Sequence, residues 1–444
     1  MSSVGGAGED SPVTVGDPPR VRPSRRYLWT KIGIEAVVAI VIMAMLLFSA
    51  SEIHWRTEPL AISQFIPESQ SIAVDASGYL HISWGGLSDG LYLTTNQGGQ
   101  WTTARVTSER ASHTSISIGA DGVIHIAFVS ESLRGVGVLK YARGTAGSWD
   151  IIDVDPEMTG VPLMLGPPFS LAVGSDGSAH IVYSKIWPGV PGYYSGISSL
   201  MYATNRGGSW STAVVREYVY NYSQPSWVGV VALDSDGNPH VAANYNTYQV
   251  RSYEMATTGS WTEQNVTNYS IAIRITSGVS LAVGPDDAIH LAYFGLLPAE
   301  GLIHSGRASG SSEWRTERVL NISSFGRCSI VLNPGDKLQI AYVAETGPPA
   351  TFDQYQIGRV VSSDGQSWKN EAILRISSFY DFSFAADANG KDWITMPGLA
   401  VCTNELSFGE KLGTLNPLVQ LSIIASGLAA IMAAANLWRL RDAE

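Results

Sequence analysis

Five histidines of this 444-residue chain recur in a single setting. His81 lies in SIAVDASGYLHISW (71–84); His125, His180, His240 and His290 lie in SISIGADGVIHIAF (115–128), SLAVGSDGSAHIVY (170–183), VVALDSDGNPHVAA (230–243) and SLAVGPDDAIHLAY (280–293). Imidazoles bind metals and move protons, but a metal centre needs several of them around one ion. These come one to a repeat, so each is read as bonding its own turn, and no metal is expected. DSDGN at Asp234 starts like a calcium loop but lacks the later ligands. His54, His113 and His304 are too scattered to suggest a triad. The chain has no Gly-x-Ser-x-Gly, His-Glu-x-x-His, phosphate-binding Gly loop or Cys-x-x-Cys, and no cofactor is indicated.

The elements that position these histidines are strands. Each quoted stretch is an alternating strand, a tight turn built from residues such as Asp, Ser and Gly, with Asp287 in the glycine position of the fifth, and a second strand. A variable loop follows, then a third strand (LYLT, LKYA, LMYA, VRSY or LIHS), a polar turn and a tryptophan. An apolar residue stands five positions after each tryptophan: Trp101 with Val106, Trp149 with Val154, Trp210 with Val215, Trp261 with Val266, Trp314 with Val319, Trp368 with Ile373. Units of roughly fifty residues with four short antiparallel strands are the spacing of propeller blades. Two weaker units replace the histidine with Gln339 and Trp393, and the last lacks a tryptophan strand. WRTEPL, residues 55–60, supplies it from the other end. The fold expected is all-β: a seven-bladed β-propeller whose last blade is closed by the N-terminal strand, leaving no open sheet edge.

Two apolar runs, 32–50 and 415–438, are each long enough to span a bilayer as a helix. Arg20, Arg22, Arg25, Arg26 and Lys31 precede the first, and Arg439 and Arg441 follow the second, which puts both ends in the cytoplasm. The expected order is a disordered tail (1–26), a transmembrane helix (27–51), an extracytoplasmic propeller (52–408), a second helix (413–438) and a short tail (439–444). The expectation is a two-pass plasma-membrane protein with the lipid bilayer as a partner. A cleaved signal peptide is the rival for the first run, with Ser49 and Ser51 as small residues at the cut. Small residues such as Ala425, Gly427 and Ala429 offer the second helix a close helix partner. Sequons at Asn221, Asn265, Asn268 and Asn321 are candidate glycosylation sites in the outer segment. A net charge of -11 argues against nucleic acid. Cys328 and Cys402 are too few for a disulfide scaffold, and they either pair or stay free.

Both helices join the last blade at one turn, so the short-turn face looks toward the membrane and the long loops look outward. Such loops are where binding groups are mounted. They hold Trp187, Tyr193, Tyr194, Tyr218, Tyr220, Tyr222, Trp227, Phe352 and Tyr355, fit for stacking on sugars or proteins. They also hold Arg110, Arg216, Arg274, Arg327 and Arg375, with Tyr380, Glu109, Glu157, Glu217 and Asp381. These form either a ligand site or a solvated rim.

TTNQGGQW (94–101) resembles the Asp-box pattern Ser-x-Asp-x-Gly-x-x-Trp through Thr94, Asn96, Gly98 and Trp101. ATNRGGSW keeps Asn205, Gly207 and Trp210, and SSDGQSW, one residue short, keeps Asp364 and Trp368. The repeats over about 55–408 thus resemble the BNR or Asp-box propellers, a group that includes sialidases. The resemblance implies that the box is a folding element, with its Asp or Asn stabilising the turn and its Trp packing between sheets. Sialidase activity would require an arginine triad, a Tyr–Glu nucleophile pair and an Asp acid/base. The Phe-Arg-Ile-Pro signature is missing, since FIPESQS stands in its place. The function expected is a binding or structural module for carbohydrate or protein ligands. A sialidase-like hydrolase and an accessory subunit of a membrane complex are the alternatives.

Overall fold

The computed structural model describes residues 55–60, 69–86, 90–131, 137–145, 147–156, 169–188, 195–221, 227–245, 249–256, 259–267, 278–295, 300–322, 326–333, 337–346, 354–362, 365–376, 382–387, 390–396 and 400–404, together with Ile34. Apart from Ile34, which is helical, both apolar runs lie outside these residues. Among the described residues no helix is long and apolar enough to cross a membrane.

The described strands form seven four-stranded antiparallel sheets within the compact unit His54–Glu405. Strands are lettered A to D from the channel outward. Blade 1 is Ser69–Val74, Leu80–Gly86, Gly90–Thr95 and Thr102–Thr107. Blades 2, 3, 4, 5 and 6 repeat that order within 111–155, 169–221, 227–265, 280–320 and 326–376. Blade 7 takes strands A to C from Ser383–Ala386, Asp392–Met396 and Ala400–Thr403, and strand D from Arg56–Pro59. Arg56 pairs with Thr403 and Pro59 with Ala400, the closure expected from WRTEPL.

Each apolar cluster lies between neighbouring blades. Leu60 and Val401 of blade 7 pack with Ile72, Ile82 and Trp84 of blade 1, so this seam is filled like the others and the ring is complete. Every repeat tryptophan inserts against the preceding blade: Trp101 joins the 7–1 cluster, Trp210 the 2–3 cluster and Trp55 the 6–7 cluster. Large rings bridging two sheets dominate such seams. Inner strands are stapled by serine as well. Ile72, Ile116, Leu171, Val231 and Ile330 each donate a backbone N–H to the serine hydroxyl of the preceding blade (Ser383, Ser71, Ser115, Ser170, Ser280) at 3.0–3.3 Å.

One expectation is corrected. Within the outward segments 184–198 and 216–228, expected to be loops, residues 184–188, 195–198 and 216–221 are strand in blade 3, whose B, C and D strands run Ala179–Pro188, Ser195–Thr204 and Ser211–Asn221. Lys185 pairs with Ser199 and Trp187 with Ile197 in register, so the backbone ladder continues past the length of other blades.

Candidate functional site

The inner strands of all seven blades line a cavity of about 220 Å³ on the axis, toward the end where strands A begin. Its wall mixes hydroxyls with apolar groups: Ser71, Thr114, Ser115, Ser170, Ser280, Ser329 and Ser383, with Gln70 and Arg327, alternate with Val228, Val230, Val279 and the edges of the buried Phe169 and Phe382. Among the described residues that line it none is acidic. A serine oxygen that accepts a backbone N–H still has its own hydrogen to donate. The staples that join the blades thereby leave a ring of donors around the axis. Beside the mouth, His113 is the extra residue of a bulge between Ser112 and Thr114 and holds a φ of 53°. That conformation is uncommon for a non-glycine residue and clusters at functional sites.

The arginines do not converge. Arg327 is on the inner strand of blade 6 and lines the cavity, while Arg375 is exposed on the outer strand of the same blade. Arg216, on the outer strand of blade 3, pairs with Glu263 at 3.4 Å. Arg110 is half-buried between blades 1 and 2. Arg274, Tyr380, Asp364, Asn268, Glu157 and Asp381 lie outside the described residues. Radius explains the separation: a residue on strand D is three strands from the axis, whichever face it shares with strand A. Tyr218 and Tyr220 lie on the extended strand D of blade 3, Trp187 on its strand B, and Trp227 begins strand A of blade 4. Tyr218 is 46% exposed. Asn321 is exposed, and Asn265 and Asn221 end strands D of blades 4 and 3.

The recurrent histidines hold turns. His81 Nε2 lies 3.2 Å from Asp75 Oδ2, and His240 Nε2 lies 3.2 Å from Asp234 Oδ2. Burial pushes both carboxyls up, but turn N–H donors and the imidazole outweigh it, leaving them below the usual range. In blades 2 and 3 glycine stands where that Asp would be, and His125 and His180 instead meet Tyr141 and Tyr202 through Nδ1. Burial lowers His125 and His180 to about 4 and raises both tyrosines to about 12. Gly78, Gly122, Gly177 and Gly237 give these turns their positive φ. Asp287 takes that role at φ 58°, and its carboxylate receives the Ser235 backbone N–H at 2.7 Å and hydroxyl at 2.9 Å from the neighbouring turn.

At the other turn, Leu80 N–H donates to Asn96 Oδ1 and Ala179 N–H to Asn205 Oδ1, both at 2.7 Å, while Gly98 and Gly207 have φ of 88° and 97°. Neither cysteine forms a disulfide; burial pushes the Cys328 thiol up, away from thiolate chemistry. Among the described residues no group of three His, Cys, Asp or Glu converges to hold a metal.

Sequence reasoning missed three clusters. Asp155 of blade 2 accepts from Tyr183 (2.8 Å) and Lys185 (2.9 and 3.0 Å) of blade 3, all buried. Arg359 of blade 6 binds Gln339, Glu371 and Asp392. His304, set aside as scattered, bonds His290 at 3.1 Å. The signal for the last was present: His304 is the third letter of LIHS, as Tyr141 is of LKYA and Tyr202 of LMYA.

No family model and no curated protein matches the chain. Among solved structures, an ulvan lyase of a new polysaccharide lyase family, PL25, bound to -[GlcA(1-4)Rha3S]-, superposes with a TM-score of 0.53 at 13% identity, covering 81% of this chain and 100% of its own. Another structure of PL25 ulvan lyase gives 0.53 at 12%, with the same coverage. The WD40 β-propeller domain of Doa1 reaches 0.48 at 13%, covering 81% and 99%. Identities this low bear on the fold alone, and the fold is that of a β-propeller.

Proposed function

We propose that this propeller is a carbohydrate-binding module, held at the outer surface of the plasma membrane by the two apolar runs, with its ligand seated over the axial mouth. The observation that carries the reading is the mouth's composition: hydroxyl donors, an amide and a guanidinium interleaved with apolar groups, with no described acid in the wall. Sugars present the matching pattern of hydroxyls over apolar ring faces. A volume of about 220 Å³ is below the roughly 300–1,000 Å³ of sites that enclose drug-sized ligands. It suits a single sugar residue or chain end. The BNR or Asp-box relationship is part of this proposal: the turns at Asn96 and Asn205 bond as that motif's folding role requires. Binding is preferred to hydrolysis because the described arginines stand on separate strands at different radii.

The test is a glycan array probed with the full chain in detergent. A defined glycan class should bind without turnover, and Arg327→Ala and Gln70→Ala should each weaken it about tenfold, the scale of one hydrogen-bonding anchor. Cleavage of a sialoside would replace the reading with the hydrolase one. Protease protection of both termini in sealed cells tests the topology.

A further inference from the structure

On the opposite face, at the seam of blades 5 and 6, lies a cavity of about 440 Å³ with no counterpart in the expectations above. Its floor is a chain of three side chains. Glu317 Oε1 lies 3.2 Å from His304 Nδ1, and His304 Nε2 lies 3.1 Å from His290 Nδ1. Trp368 of blade 6 donates its indole N–H to the same Glu317 oxygen at 3.1 Å, which fixes the carboxylate. A carboxylate only accepts, so His304 Nδ1 carries a hydrogen. His304 Nε2 is then the acceptor, and His290 Nδ1 must be the donor. His290 Nε2 is left with a bare lone pair, and it has no partner among the described residues.

In blades 1, 3 and 4 the equivalent Nε2 is bonded to Asp75, Ser178 or Asp234, and in blade 2 it is buried. Blade 5 has neither turn partner, because Gly284 and Ala288 stand where Asp75 and Ser178 do in blades 1 and 3, and it differs again across the ladder. His290 pairs with Gly306, where the other histidines face Thr95, Arg143, Thr204 and Glu254. A Cβ on Gly306 would stand 3.3 Å from His304 Cε1 and 3.5 Å from His290 Nδ1. Its absence uncovers the pair. Trp314 forms a wall, backed by the Arg307 guanidinium 5.3 Å from its ring. Arg315, exposed and without a partner among the described residues, offers a planar fork for a carboxylate. Glu313 on the same rim disfavours a dianion.

We propose that this cavity is a second ligand site, independent of the axial mouth, for a small hydroxylated monocarboxylate: a hydroxyl donates to His290 Nε2 and the carboxylate pairs with Arg315. The volume falls within the range of small-molecule sites.

Titration of the full chain in detergent with D-gluconate tests it, read by calorimetry and by the imidazole ¹⁵N resonances. Saturable binding with a shift at His290 Nε2 is expected. D-glucose, lacking the carboxylate, and acetate, lacking the hydroxyl, should bind at least tenfold more weakly; L-lactate in parallel separates a simple hydroxy acid from a sugar acid as the source. His290→Gln copies the Gln339 of blade 6, Arg315→Thr copies the Thr102 of blade 1, and Gly306→Thr copies blades 1 and 3 and refills the space. Each should weaken gluconate about three- to tenfold or more, one hydrogen bond or charge contact each. The variants act by three routes, so failure of one to fold leaves two. Absence of saturable binding, or equal binding of glucose and acetate, or affinity unchanged in the folded variants, overturns the proposal.

Discussion

The seam between blades 2 and 3 and the seam between blades 6 and 7 use the same position for opposite chemistry. In blade 2 the strand C residue two before the histidine's ladder partner is Tyr141, neutral, bonded to His125 and edge-on to Trp210 of the next blade at 5.0 Å. In blade 6 the same position is Arg359, 3% exposed, ion-paired with Asp392 at 0% exposure and stacked on Trp55 at 5.1 Å. The tryptophan is constant and its partner changes from phenol to guanidinium. A ring seam therefore accepts any flat side chain against the indole, provided that its polar atoms are answered locally. Blade 5, with His304 edge-on to Trp368 at 5.2 Å, is the intermediate case.

Breaking the charged seam should have the largest effect. Arg359→Met leaves the buried Asp392 carboxylate with only the Asn333 and Asn404 amides as donors, and should cost about 3–5 kcal/mol in denaturant unfolding, the usual penalty for an orphaned buried charge. Arg359→Met with Asp392→Leu should recover most of that. Acid sharpens the comparison from the neutral side. Burial holds His125, His180 and His290 near 4, below the ordinary 6.5, so the unfolded chain binds more protons below that value. Stability present in full above pH 6.5 should be lost as pH falls toward 4, and Asp75 and Asp234, held low, extend the loss further down as they protonate. Urea midpoints against pH measure this, and His180→Gln should flatten the curve. Tyr202→Phe removes one phenol from His180 and should cost about 1 kcal/mol by the same unfolding assay. Arg143→Ala, at a pair exposed on both sides at 3.5 Å from Asp121, should change stability by less than about 0.5 kcal/mol.

The ring was legible in the sequence because its signals are local. A turn with its histidine, or a tryptophan with its valine five residues on, is written within one hairpin, and WRTEPL was recognisable as the missing piece by that spacing alone. Seam chemistry was not, since Arg359 meets Asp392 across strands and blades whose register depends on loops of unequal length. The arginines misled for the same reason: sequence placed them at one end of the ring but carried no measure of distance from its axis. Where the ladder of blade 3 outran its neighbours, Ser184–Ile186 and Ser198–Leu200 show no strict alternation, and the Pro and Gly between them read as a loop.

Arg56 sits directly opposite Thr403 in the closing ladder, so both ends of the circular unit leave from the same extremity of that strand pair. Tension drawing them apart would open the clasp like a zipper, pair by pair from Arg56 and Thr403 toward Pro59 and Ala400, rather than loading every bond together in shear. Such a ring is mechanically weakest against separation of its own two exits, and it is spared that load wherever the exits are held side by side.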